Sequence, residues 1–256
     1  MEYQISPFWQ RQPLLPIEIQ RFLRKRFDLA IRKPEDRQHL VWALILGSPG
    51  IQKSFTDGIP TEEIYLQAAK MLASVDIQDP RKAWDQHQLL FSDTAINENK
   101  KWLPHPSWRP WAQMISLRSG WQLSSLTGIH PGSDYLFECG VSLFNNALFF
   151  ECHDALEPLW LSAKHEEKSN LQLLILITAG FHHIQQHNAP GAQSVWKDAL
   201  SRLKGQKRVN LQSGNVDISE ALCVLESIIP NLDSSLDGVF DWGKIWQQTK
   251  PLWIMA

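Results

Sequence analysis

At 256 residues, with 43% hydrophobic and 20% charged side chains, the chain carries enough apolar surface for one large or two small folded domains. That balance excludes an intrinsically disordered chain, and the formal charge of −2 gives no general attraction to nucleic acid or an anionic membrane. Cys139, Cys152 and Cys223 are odd in number and lack metal-type spacing, so they read as free thiols in a reducing compartment.

The polar opening, with Pro7, Pro13 and Pro16, has no basic-then-apolar signal pattern. Residues 16–31 form the first expected helix, with Ile17, Ile19, Phe22, Leu23, Phe27 and Ile31 as its apolar set. Pro34 starts a second, ending near Gly47, and further helices are expected over residues 60–73 and 80–90. Basic residues crowd 21–37, but Asp28, Glu35 and Asp36 offset them, so this reads as a solvated helix face and nucleic acid is disfavoured as a partner.

Residues 93–132 differ in character, being rich in Pro, Ser, Gly, Asn and Trp. They read as a linker with one short helix around residues 111–119. Twelve tryptophans are many for this length, and Trp102, Trp108, Trp111 and Trp121 fall in this segment, as a connector docked through large amphipathic rings would have them. Beyond it, helices are expected over residues 133–145, 148–164, 169–187, 190–203, 217–228 and 237–248. Runs of alternating β-branched residues are almost absent. The expected fold is therefore all-α: a helical N-terminal region (1–92), the linker (93–132), an antiparallel bundle of about five helices (133–230), and a C-terminal helix and tail (231–256). The longest apolar run, 171–181, is about eleven residues, short of the roughly 20 that cross a bilayer. A cytoplasmic protein without a membrane partner is the expectation, with a protein partner or a second copy left open.

One stretch breaks the pattern of an ordinary core helix. In F-F-E-C-H-D-A-L-E-P-L-W, residues 149–160, a helical wheel with His153 at zero puts Glu157 near about 40° and Trp160 near about 340°. Both polar groups thus fall in the face that the apolar neighbours mark for burial, where each needs a partner. Asp154 lies at the edge of that arc, and Glu151, near about 160°, is expected on the surface. Pro158 removes the hydrogen bond to the carbonyl of Asp154, so a kink is expected beside Glu157. On the next helix Gln172, Leu176, Ala179 and His183 form a stripe, taken here to face His153, while His182 is expected to point elsewhere.

Three chemistries fit this set. His153, Glu157 and His183 are a common ligand combination for a divalent metal ion. Glu157 with His183 could act as general base and acid, with His153, Asp154, Trp160 and Gln172 shaping the site. A closed structural network of the same His, Glu and Gln side chains is the third, fixing the register of the bundle. No phosphate loop, dinucleotide fingerprint or nucleophile elbow accompanies them.

The ordered motifs Leu143-Phe144-Asn145, Phe150-Glu151-x-His153-Asp154-x-x-Glu157-x-x-Trp160, Leu171-Gln172, His183 and Asn188-x-x-Gly191-Ala192 resemble domain of unknown function family 309, a family of small all-helical proteins. The resemblance covers about residues 133–203 and implies that His153, Glu157, Trp160, Gln172 and His183 are signature positions. Two departures stand out: Leu161 occupies a position where the family often has arginine, and Leu176 one where it often has a second glutamine. The family implies no activity. The first functional expectation is a binding or scaffold module, and the alternative is a small-molecule enzyme or metal-assisted hydrolase using Glu157 with His153 and His183.

Overall fold

The computed structural model describes residues 14–32, 34–45, 106–203, 205–232 and 253–255, with short pieces at 59–60, 66, 95–96 and 101–103. They divide into two compact units, one spanning Leu15–Gly128 and the other beginning at Ile129. The protein is helical, as its periodicity indicates, and carries two small three-stranded sheets that the periodicity does not announce.

In the first unit, α1 (Ile17–Ala30) buries Ile19, Phe22, Leu23 and Phe27 at helical spacing. Pro34 opens a 3-10 turn to Arg37, continued by α2 (Gln38–Ile45). Short strands β1 (Ile59–Pro60), β2 (Ala95–Ile96) and β3 (Lys101–Leu103) pair in the order β1-β3-β2, all antiparallel. A second 3-10 segment, Pro106–Trp111, leads into α3 (Ala112–Leu126). This helix is longer than the short one expected within a linker, and it packs on α2, where the Ser116 hydroxyl donates to the Leu44 carbonyl at 2.6 Å. The helices expected over residues 60–73 and 80–90 lie outside the described residues. Arg26 is buried, with its guanidinium 3.3 Å over the Phe22 ring and Nη1 donating to the Phe22 carbonyl, and burial holds its pKa well below the ordinary arginine value.

The second unit begins with α4 (Tyr135–Asn145), α5 (Phe149–Ser162), α6 (His165–Gln185) and α7 (Ala189–Leu203). Each packs on the next through a connection of a few residues, as consecutive bundle helices do. A hairpin follows, β4 (Arg208–Leu211) with β5 (Gly214–Asp217), turning at Gly214, whose φ of +135° an L side chain rarely adopts. Next comes α8 (Ser219–Ile228), at whose start the Asp217 carboxylate accepts the Ser219 amide at 2.9 Å and its hydroxyl at 2.6 Å. These two bonds hold the Asp217 pKa below the ordinary aspartate value. The last strand, β6 (Ile254–Met255), adds to β5 on the side away from β4. The helix expected over residues 237–248 lies outside the described residues.

The core of this unit is aromatic. Phe144 meets Phe149 and Phe181 edge-on at 5.2 and 5.7 Å and stacks flat on Trp253 at 3.9 Å. Phe181 also meets Trp196 at 4.9 Å. Trp196 reaches this position only because α6 carries Gly180 beneath it, and its indole donates to the Ile177 carbonyl at 3.0 Å.

Candidate functional site

The site is built on α5, and α5 is covered on two faces. It packs between α4 and α6, so side chains on nearly opposite sides of its wheel are buried. This explains a departure from the helical-wheel expectation on α5. Glu151, expected at the surface, is 2% exposed, because the wheel assumed a single buried face. Towards α6, the Cys152 thiol lies 3.6 Å from the Thr178 hydroxyl, and burial pushes its pKa up to about 12. A thiol held neutral in this way is a poor nucleophile at neutral pH.

His153, Asp154 and Glu157 come together. One donor atom from each can be chosen so that all lie within 4.8 Å of one another, and each residue is half-buried. His153 Nδ1 is 3.5 Å from Asp154 Oδ1, and the aspartate side chain is 8% exposed against 33% for the histidine. The imidazole and the carboxylate are close enough for Nδ1 and an Asp154 oxygen to ligate one ion. The exposed part of His153 makes this an open site rather than a sealed one. Pro158 lies inside α5, which continues to Ser162. One turn beyond Glu157, Trp160 has the Lys168 ammonium 4.9 Å over its ring, and its indole N–H finds no hydrogen-bond partner among the described residues. Leu161 is exposed.

The stripe on α6 turns away from α5. Gln172 Oε1 accepts from Arg202 Nη1 of α7 at 3.4 Å, and Arg202 is itself held by Asp198 at 2.8 Å. His183 pairs with Asn188, which precedes α7. Thr178 and His182 face α5 instead, His182 lying 5.2 Å from the Phe150 ring. Gln172 and His183 sit about 120–140° around the helix from Thr178, so one helix cannot offer both sets to the same neighbour. Neither belongs to the His153–Asp154–Glu157 group. The stripe expected to face His153 lies against α7 instead, because Gly180 allows a close approach there and the helix that makes it is α7.

His183 has a defined role in that junction. Asn188 Oδ1 accepts the Gly191 amide at 3.0 Å, an N-cap for α7. With its oxygen so placed, the Asn188 amide nitrogen must donate to His183 Nδ1, 3.1 Å away. His183 is therefore the neutral tautomer protonated on Nε2, and burial lowers its pKa below the usual 6.5. Its folded value lies below the unfolded one, so its contribution to stability is present above about pH 6.5 and is lost as pH falls through the folded value. Comparing His183→Ala with the parent by denaturant titration at several pH values is expected to show a shallower loss of stability on acidification in the variant. An unchanged pH dependence would remove His183 as the cause. Nitrogen chemical shifts of the imidazole would read the tautomer directly.

No curated protein and no solved structure matches the chain. One family does: residues 137–195, from Phe137 on α4 to Val195 on α7 and with every candidate side chain named above between them, match the model described as Domain of unknown function (DUF309).

Proposed function

We propose that the second unit is a binding module whose open face on α5 takes a divalent metal ion through His153, Asp154 and Glu157. One observation carries this reading: three ionisable side chains of metal-ligand type place donor atoms within 4.8 Å of one another without being sealed from solvent. An imidazole with two carboxylates suits zinc, manganese or iron(II), and three protein ligands leave coordination positions for a bound molecule. A closed structural network would instead have Phe149, Phe150 and Trp160 folded over the polar groups. Phe149 is turned into the aromatic core and Phe150 lies against His182. The hydrolase alternative needs His183 beside Glu157 as acid–base partner, and His183 is occupied with Asn188 at the junction to α7.

The test is titration of the chelator-treated chain with zinc and with manganese, followed by calorimetry and elemental analysis. One ion per chain is expected, with affinity falling by about 100-fold in Glu157→Gln and in His153→Ala. Because these side chains are half-exposed, melting of the metal-free variants should stay within about 2 °C of the parent. No bound metal, together with a clearly lower melting temperature for Glu157→Gln, would reinstate the structural network and overturn the proposal.

A further inference from the structure

The contact between α4 and the last strand has the chemistry of peptide recognition. Asn145, at the end of α4, uses its carboxamide on the backbone of a single residue far along the chain: Trp253 N–H donates to Asn145 Oδ1 at 2.9 Å, and Asn145 Nδ2 donates to the Trp253 carbonyl at 3.0 Å. A two-point amide clamp reads an extended backbone whatever its side chains. The Trp253 indole is the one large anchor, 2% exposed and stacked at 3.9 Å and 8° on Phe144. Directly after it, Ile254 and Met255 add as an antiparallel strand to β5, opposite Asp217 and Val216. Backbone pairing at a sheet edge, with one side-chain pocket for specificity, is how strand-addition sites hold a peptide.

The geometry points to a peptide-binding groove formed by Asn145, Phe144 and the edge of β5, which the chain's own Trp253–Met255 segment occupies as a detachable ligand. The pocket does not use everything its occupant offers: the Trp253 indole N–H is buried with no partner among the described residues. What the groove selects is thus an apolar aromatic ring followed by a strand-forming backbone, and a phenylalanine meets that description without the unsatisfied donor. A segment carried on the same chain competes as an intramolecular ligand, so in the uncut chain it excludes a free peptide.

The experiment uses the full chain with a protease-recognition sequence inserted between Ser234 and Ser235. After cleavage, a fluorescein-labelled synthetic peptide of residues 235–256 is added and its anisotropy followed. Saturable exchange into the cut protein is expected, with uptake by the uncut chain weaker by about 100-fold or more. Placing Asn145→Ala in the body should weaken uptake about tenfold, the loss of the backbone clamp. A peptide with Trp253→Phe should bind within a few-fold of the parent sequence, and one with Trp253→Ala should fail to compete. Equal uptake by cut and uncut chains would place the binding elsewhere, and indifference to Asn145→Ala would remove the clamp. Loss of the helical circular dichroism signal on cleavage would show an integral core strand. Persistence of the original fragment through prolonged exposure to excess peptide would show a segment that does not detach. Each of these four results overturns the inference.

Discussion

Replacing Gly180 by alanine is expected to destabilise the second unit by about 3 kcal/mol, although alanine is the better helix former by roughly 1 kcal/mol. The added Cβ would stand 2.0 Å from Trp196 Nε1 and 2.3 Å from Cδ1. No real methyl group tolerates that, and Trp196 is fully buried, so there is no free space for the ring to slide into. Relief requires moving the indole off α6, which sacrifices its bond to the Ile177 carbonyl and its edge contact with Phe181. Thermal unfolding should shift down by about 6–12 °C. A variant as stable as the parent would mean that Trp196 does not lie across Gly180.

Trp253→Ala should cost a comparable amount, about 3–4 kcal/mol, for a different reason. Nothing is forced apart; a large ring is deleted from the stack on Phe144 and a cavity is left against that ring. The backbone clamp on Asn145 does not depend on the side chain, so the loss measures the ring alone. Trp253→Phe should recover most of it, because the six-membered ring can keep the stack and the buried indole N–H disappears. Denaturant titration of the three proteins orders them, and an alanine variant within about 0.5 kcal/mol of the parent would show that the ring adds nothing through its stack on Phe144.

Much of the fold was legible because the helices around the site bury apolar residues at helical spacing and end where the sequence places proline, asparagine or a polar cluster. The hairpin of β4 and β5 was not legible, since each four-residue strand buries a single position, Val209 or Val216, and one position shows no alternation. The full length of α3 was hidden for the opposite reason. It buries Ser119, Gln122 and Ser125 alongside its apolar residues, so its covered face does not read as hydrophobic. At the site, His153 and Glu157 were legible together because their spacing puts both on one face of one helix, while Asp154, at the edge of that arc, was not read as the third member of the group. Which neighbour each residue of α6 would meet was not, since a wheel gives angles and says nothing of which helix fills them. Glu151 was missed on the same ground, and Asn188 because its effect on His183 passes through the cap of the following helix.

The three reversals that join α4 to α5, α5 to α6 and α6 to α7 are made by L-residues in the left-handed region: Ala147 at φ +57°, His165 at +50° and His187 at +58°. Each such residue costs about 1 kcal/mol that a glycine would avoid. A bend that is uphill on its own cannot be what steers two helices together. At Ala147 the arrangement is visible, since the Gln185 amide donates to its carbonyl at 2.7 Å and holds the turn from a helix it does not join. The connections in this unit therefore record the docking of the helices rather than direct it, so the turns should close after the helices have met.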